Sequence, residues 1–225
     1  MATVIFDLDG TLADTSGDLI AAANACFREL GLPALLDPTQ DAATALTGGR
    51  AMLRLGFARQ GREDEPEVDR LYPVFIEHYT RALDTHTYLY PGAMEAVRAL
   101  KSDGYGVAIC TNKPERQALM LMESLGVRDE FAAILGADSL PVRKPDPEHL
   151  RETARRAGGD PGRMLLVGDT DTDRQTARNA GVPSVLVTFG PAGGDMAALA
   201  PEALLHDYAD LPGIVAQLLG AARLS

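Results

Sequence analysis

The stretch Thr3–Thr15, TVIFDLDGTLADT, decides the fold. Its apolar run at 4–6 is β-branched and too short for a buried helix, so it predicts a strand. Such a fully apolar strand is typical of parallel sheets covered on both faces, which bind ligands where their strands end. Asp7 closes this strand and Asp9 follows in a turn. Because two ionised carboxylates repel each other, the pair predicts a bound cation or a shared proton.

Downstream of residue 90, apolar strands alternate with amphipathic helices, which predicts a doubly wound parallel sheet of the α/β class with a Rossmann-like core. Residues 32–88, by contrast, consist of helical pieces that are separated by glycine and proline. We therefore expect a catalytic core at 1–14 and 89–225 and an inserted α-helical domain at 15–88. Strands are predicted at 4–6, 106–110, 132–135, 164–167 and 184–187, with a short edge strand at 203–205.

Composition excludes several classes of function. The 225 residues are 46% hydrophobic and 24% charged, as in ordinary globular proteins, and the formal net charge is −11. That negative charge argues against nucleic acids and anionic membranes as partners. Cys26 and Cys110 lie far apart and indicate buried thiols in a reducing compartment. The first strand follows the first methionine without a charged and apolar leader, so we expect a cytoplasmic protein.

Two further polar positions follow predicted strands or stand in rigid turns. Thr111 ends the strand at 106–110, and its hydroxyl and the backbone N–H of Asn112 suit a phosphate oxygen. Capping of the next helix is the alternative interpretation. Lys144 lies between Arg143 and Pro145, and the proline restricts its backbone to extended conformations. The alternative here is a solvated surface charge.

Acidic residues are concentrated after the strand at 164–167, where Asp169, Asp171 and Asp173 stand within five residues. Such clustering is unfavourable unless a cation is bound, and carboxylate oxygens suit Mg²⁺. A helix start whose acids are favoured by the helix dipole is the alternative, and it suffices for one of the three.

Taken in chain order, these motifs resemble the four motifs of the haloacid dehalogenase superfamily. They are D-x-D-G-T at 7–11, the threonine at 111, K-P-x-P at 144–147 and G-D-x-x-x-D at 168–173. The resemblance covers essentially the whole chain. It implies the phosphatase branch, because the dehalogenase branch lacks the second aspartate. It also implies that the helical insert is a cap that closes over the active site.

The resemblance implies a role for each matched residue. Asp7 would be the nucleophile that forms an aspartyl phosphate, and Asp9 the general acid and base. Thr111 and the backbone of Asn112 would hold the transferring phosphoryl group. Lys144 would stabilise the nucleophile and the phosphoryl oxygens.

The same resemblance implies Mg²⁺ as the cofactor. Its expected ligands are Asp7, the backbone carbonyl of Asp9 and Asp169, with Asp173 as a further ligand or a supporting partner. Asp171 and Arg143 receive no role.

The expected substrate is a small phosphorylated metabolite. The residues TNKP at 111–114 resemble the branch that hydrolyses 2-phosphoglycolate, which we expect as the substrate. The turn Gly48-Gly49-Arg50 resembles the family's substrate loop, so Arg50 is a candidate for the substrate carboxylate. A phosphomutase of the β-phosphoglucomutase type and a non-catalytic binding module remain alternatives. The chain is expected to be a monomer or a homodimer.

Overall fold

The computed structural model describes residues 1–191 and 195–220. The chain folds as two compact units, of which one comprises Met1–Ala13 with Leu89–Ser225 and the other Asp14–Tyr88. The strands are β1 (Thr3–Phe6), β2 (Ala13–Asp14), β3 (Tyr88–Leu89), β4 (Gly106–Cys110), β5 (Ala133–Leu135), β6 (Met164–Gly168), β7 (Ser184–Val187) and β8 (Ala203–Leu205). Six of them form one sheet in the order β5-β4-β1-β6-β7-β8, and β2 pairs with β3.

The six-stranded sheet is parallel throughout, which confirms the doubly wound α/β fold expected from the sequence. The helices of this unit are α5 (Ala93–Ser102), α6 (Glu115–Ser124), α7 (Pro147–Arg156), α8 (Asp171–Ala180) and α9 (Leu211–Leu219). Ile5 of β1 packs in one apolar cluster with Leu150 of α7 and Ala177 of α8. Because side chains alternate along a strand, Val4 and Phe6 face the opposite side of the sheet, and both are fully buried.

The order of the strands sets the position of the site. The chain runs from β1 outward through β4 to β5, and then returns to β6 on the other side of β1. The connections that leave β1 and β6 therefore diverge, and a crevice opens at the carboxyl ends of these strands. The residues that follow β1, β4 and β6 meet at this one edge of the sheet.

The second unit is a helical bundle of α1 (Ser16–Glu29), α2 (Ala42–Ala45), α3 (Gly49–Arg59) and α4 (Glu65–Arg81). Phe27 of α1 and Phe57 of α3 pack edge to face, with ring centroids 5.7 Å apart. Gly49 and Gly56 let α3 lie close to its neighbours: an added Cβ would stand 2.3 Å from the Phe75 ring and 2.1 Å from the Phe27 ring respectively. Throughout both described ranges, no helix has the length and apolarity needed to cross a membrane.

This close packing makes Gly49 a test of the bundle. Gly49→Ala should lower the free energy of unfolding by about 1 to 3 kcal/mol, because the Phe75 ring is buried and has little room to move. Urea unfolding measures the change. The matched control is Gly213→Ala in α9, where the new methyl group meets nothing within 4 Å. The control should be neutral or stabilising by about 0.5 to 1 kcal/mol, and a Gly49 variant that behaves like it would contradict the packing argument.

Candidate active site

Four carboxylates and two lysines come together at the carboxyl edge of the sheet. Asp7 follows the last residue of β1, and Asp169 follows the last residue of β6. The other two carboxylates belong to Asp9, in the turn after β1, and to Asp173, on the first turn of α8. Short strands that end at the same level of a parallel sheet place residues distant in sequence side by side.

Lys144 lies at the buried centre of this arrangement, and only 3% of its surface is accessible to solvent. Its Nζ lies 3.0 Å from Oδ1 of Asp7 and donates to Oδ1 of Asp173 at 2.7 Å. Burial alone would lower the pKa of this ammonium group, but the carboxylates of Asp173 and Asp7 raise it on balance, so Lys144 stays charged. The alternative interpretation of Lys144 as a solvated surface charge is therefore wrong.

The surroundings of Asp7 oppose the ionisation of its carboxyl group. Its Oδ1 also accepts a hydrogen bond from the backbone N–H of Leu8 at 2.7 Å. Burial raises the pKa of Asp7 to about 6; the Lys144 ammonium opposes this shift, and the charges of Asp173 and Asp9 add to it. A perturbed carboxyl at the end of a central strand is a common feature of catalytic sites.

Asp173 is fixed by the start of α8. Thr170 and Asp173 form a capping box, in which the Thr170 hydroxyl donates to Oδ2 of Asp173 at 2.6 Å and accepts from its backbone N–H at 3.3 Å. Gly168 allows the close approach, since a Cβ at this position would lie 2.4 Å from the Asp173 side chain. Because both Asp173 oxygens accept hydrogen bonds, its geometry suits a partner that orients Lys144.

Asp169 has one satisfied and one unsatisfied oxygen. Its Oδ1 accepts from the hydroxyl of Thr11 at 2.9 Å, and the Thr11 carbonyl in turn accepts from the hydroxyl of Tyr208 at 2.6 Å. Its Oδ2 is buried and has no hydrogen-bond partner among the described residues. Burial first, and then the charges of Asp173 and Asp7, raise the pKa of Asp169 well above its usual value. The sequence interpretation assigned no role to Thr11 or Tyr208.

These residues fit a small divalent cation. One oxygen from each of Asp7, Asp169 and Asp173 can be chosen so that all lie within 4.8 Å of one another. The buried, unpartnered Oδ2 of Asp169 is the kind of atom that a metal ion satisfies, and carboxylate oxygens are the ligands that Mg²⁺ prefers. With four carboxylates against two ammonium groups, the cluster also carries the excess negative charge that a divalent cation would balance.

Lys113 is a site residue that sequence reasoning missed. Its side chain is 3% exposed, and its Nζ donates to Oδ1 of Asp9 at 2.8 Å. The turn that carries it is fixed at both ends: its backbone N–H donates to the Thr111 hydroxyl at 3.2 Å, and its carbonyl accepts from Ala137 at 2.9 Å. In the sequence, the feature that could have identified Lys113 is its place in a turn directly after a buried strand. A single lysine in a turn is, however, usually a solvated charge.

Thr111 and Asn112 lie at the same edge. Thr111 is 1% exposed, whereas Asn112 is exposed. The Asn112 side chain donates from Nδ2 to the carbonyl of Lys144 at 3.0 Å, so it ties the turn after β4 to the segment that carries the buried lysine. Their predicted contacts with a phosphoryl group stay predictions.

Arg50 belongs to the helical unit, where it pairs with Asp69 and lies 4.5 Å from the ring centroid of Tyr72. The glycine pair before it has structural reasons. Gly48 has a φ of 104°, which favours glycine, and Gly49 packs against an aromatic ring. The glycine pair is therefore no evidence for a ligand beside Arg50. The contact between Arg50 and a substrate carboxylate stays a prediction.

Cys110 and His149 lie buried next to the site. Cys110 Sγ is 3.5 Å from Nδ1 of His149, whose Nε2 donates to the carbonyl of Gly136 at 3.0 Å. Burial lowers the pKa of His149 to about 4 and raises that of Cys110 to about 12, so both are neutral at pH 7. This agrees with the expectation of buried thiols, and Cys26 is buried as well. Asp171 and Arg143, which received no role, are exposed.

Fold and site together define an α/β protein with a buried cluster of carboxylates and lysines at the carboxyl ends of its strands. Residues 4–187 match the family of haloacid dehalogenase-like hydrolases, and the chain belongs to this family. The resemblance seen in the sequence motifs is thereby confirmed.

Several known proteins are similar to this chain over nearly its full length. A phosphoglycolate phosphatase of Mesorhizobium japonicum is 43% identical over 206 residues, which are 91% of this chain and 90% of that protein. A phosphoglycolate phosphatase of Agrobacterium fabrum is 42% identical over 224 residues, covering 97% and 95%. A crystal structure described as a predicted phosphoglycolate phosphatase from Haemophilus somnus 129pt superposes with a TM-score of 0.84 at 28% identity, covering 95% of this chain and 97% of that one.

The raised pKa of Asp7 implies a stability cost that a mutation can relieve. Between the ordinary value of 3.8 and about 6, the folded protein binds a proton that the unfolded chain has released. Raising the pH through this window should therefore lower the free energy of unfolding of the cation-free protein. Asp7→Asn removes the buried charge and should raise this free energy by about 1 to 3 kcal/mol at pH 7, measured by urea unfolding in a chelator. A destabilised Asp7→Asn protein under these conditions would contradict the argument.

Proposed function

We propose that this protein is a Mg²⁺-dependent phosphatase that hydrolyses a small phosphomonoester, with 2-phosphoglycolate as the favoured substrate, through an aspartyl phosphate on Asp7. The observation that carries the proposal is the Asp7 carboxylate, buried between the ammonium of Lys144 and the unsatisfied oxygen of Asp169. An anionic nucleophile that must approach an anionic phosphate needs nearby positive charge: Lys144 supplies one, and a cation held by the Asp169 oxygen would supply the other. The names of the two bacterial relatives support the choice of substrate.

In the first step, an Asp7 oxygen attacks phosphorus and the bond between phosphorus and the ester oxygen breaks. Asp9, two residues further along, enters protonated and gives its proton to the departing oxygen, so that the alcohol leaves neutral at that atom. The contact of Asp9 Oδ1 with Lys113 Nζ at 2.8 Å assigns this proton to the other oxygen, Oδ2. The product of this step is an acyl phosphate on Asp7.

In the second step, a water molecule attacks the phosphorus of the acyl phosphate. Asp9 accepts the proton of the water, the bond between phosphorus and the Asp7 oxygen breaks, and inorganic phosphate leaves. Both carboxyl groups return to their starting forms, and the cycle consumes only water and the monoester.

The remaining residues bind and orient. Lys144 neutralises charge on Asp7 and on the phosphoryl oxygens, and Asp173 holds the lysine in place. The Thr111 hydroxyl and the Asn112 backbone bind phosphoryl oxygens. Mg²⁺, when bound by Asp7, the Asp9 carbonyl and Asp169, supplies positive charge that stabilises the phosphoryl group during transfer. Residues 15–88 act as a cap that helps to select the substrate.

The nucleophile gives the first activity test. Asp7→Asn should abolish phosphate release from 2-phosphoglycolate, since an amide cannot form the acyl phosphate, and chelation should abolish it reversibly. Phosphate release by the wild type also separates a phosphatase from a phosphomutase, which passes the group to a sugar. Asp171→Asn is the matched control: it removes an exposed carboxylate at the same strand end and should retain activity. Substantial turnover by Asp7→Asn would contradict the covalent mechanism.

The proposed proton transfer predicts a dependence on the leaving group. Asp9→Asn should lower kcat for an alkyl phosphate by about 10²- to 10⁴-fold, because the alkoxide needs a proton as it leaves. An aryl phosphate, whose phenolate leaves without a proton, should lose much less in the bond-breaking step. Pre-steady-state release of the alcohol or phenol isolates this step. Equal losses on both substrates would mean that Asp9 supports the site without transferring a proton.

A further inference from the structure

Two of the three lysines in this chain have buried side chains at the same edge of the sheet, and they contact different carboxylates. Lys144 lies between Asp7 and Asp173, on the side of the nucleophile. Lys113 contacts Asp9, the residue proposed to face the leaving group. The mechanism described above uses Lys144 and leaves the second ammonium without a function. Burying an ammonium group is unfavourable unless an anionic group lies beside it. The burial of Lys113 at this edge therefore suggests a function for its charge.

The chemistry of phosphoryl transfer places Lys113 at the leaving group. The attacking and departing oxygens lie roughly in line through phosphorus, so the leaving oxygen is on the far side from Asp7. Asp9 must reach that oxygen to protonate it, and Lys113 Nζ is 2.8 Å from Asp9 Oδ1. The ammonium group is therefore next to the part of the substrate that differs from one monoester to another.

Lys113 also cannot move far from this place. Its backbone is fixed on one side by the Thr111 hydroxyl and on the other by Ala137. Gly136 adds to this rigidity, because the backbone of Glu115 and the carbonyl of Lys113 lie within 2.2 and 2.7 Å of where its Cβ would be. An ammonium group has three N–H donors, so Lys113 can contact a carboxylate of the leaving group while its contact with Asp9 Oδ1 persists.

We infer that Lys113 binds a carboxylate on the leaving group and thereby makes the site selective for phosphomonoesters of small hydroxy acids. The inference rests on the proposed function. In 2-phosphoglycolate, a single methylene separates the ester oxygen from the carboxylate, so an ammonium beside Asp9 can contact the acid while Asp9 holds the oxygen. The specificity contact then belongs to the core of the enzyme. Arg50 of the helical unit, which already pairs with Asp69, is the competing candidate.

The test compares two substrates of equal chain length, 2-phosphoglycolate and ethyl phosphate, on four proteins. These are the wild type, Lys113→Met, Arg50→Met and the control Lys101→Met, which removes an exposed lysine paired with Glu130. Methionine keeps most of the lysine stem and removes the charge. Lys113→Met should lose about 10- to 100-fold more kcat/KM on phosphoglycolate than on ethyl phosphate, as for a lost hydrogen bond to a charged group. A fifth protein, Lys113→Arg, should restore part of the difference, and Lys101→Met should behave like the wild type.

Inhibition by the two reaction products gives a second measurement, which reports binding of each product and does not require turnover of 2-phosphoglycolate. Glycolate should inhibit the wild type and lose its effect on Lys113→Met, while inorganic phosphate should inhibit both proteins alike. Retained phosphate inhibition shows that the variant keeps a folded phosphoryl site.

Three results would overturn the inference. Equal losses on the two substrates would mean that Lys113 serves Asp9 alone, and a selective loss in Arg50→Met but not in Lys113→Met would place the carboxylate contact in the helical unit. Both leave the proposed phosphatase activity standing. Absence of phosphate release from every monoester by the wild type would overturn the proposed function and this inference with it.

Discussion

The ion pairs of Lys144 are the constraint on which the site depends. Asp7 at the end of β1 and Asp173 at the start of α8 are brought within reach of one buried ammonium, at 3.0 and 2.7 Å. In the absence of this charge, the neighbouring carboxylates would repel one another in a poorly hydrated environment. Removing Lys144 would leave Asp7 and Asp173 as uncompensated buried charges, and such a loss typically costs about 3 to 5 kcal/mol. The segment that carries Lys144 is further held by the side chain of Asn112.

The site is built at the expense of stability. Burial raises the pKa values of both Asp7 and Asp169, which means that the fold resists the charged forms of these residues. Asp169 additionally buries an oxygen that no described residue satisfies. Natural proteins retain such features where function requires them, and the proposed mechanism requires these acids to hold a cation and to attack phosphorus. The rest of the sheet, with β1 fully buried between β4 and β6, supplies the rigidity that holds the acids in place.

The proposed mechanism and the inference about Lys113 together assign separate tasks to two buried lysines. Lys144 acts at the phosphoryl group and the nucleophile, whereas Lys113 lies beside Asp9 at the leaving group. A phosphatase whose core contacts only phosphate and metal needs its cap to distinguish substrates. If Lys113 contacts the leaving group, part of the discrimination is built into the same turn that carries Thr111. The glycines before Arg50, by contrast, are explained by the packing of α3 and by the backbone conformation of Gly48.

The sequence by itself determined the order of the main strands and helices along the chain, because short apolar runs and helical patterns of apolar residues depend on local burial alone. The strands β4, β7 and β8 begin and end at the predicted residues. It also determined which edge of the sheet carries the chemistry, since Asp7 and Asp169 each follow an apolar strand. Only the tertiary structure decided which charges are partners. Whether a lysine such as Lys113 is solvated or buried against a carboxylate depends on strands about 100 residues apart in sequence, and no local pattern records that distance. The unsatisfied oxygen of Asp169 is likewise a property of the folded site, because it follows from what the fold places around that atom and what it leaves out.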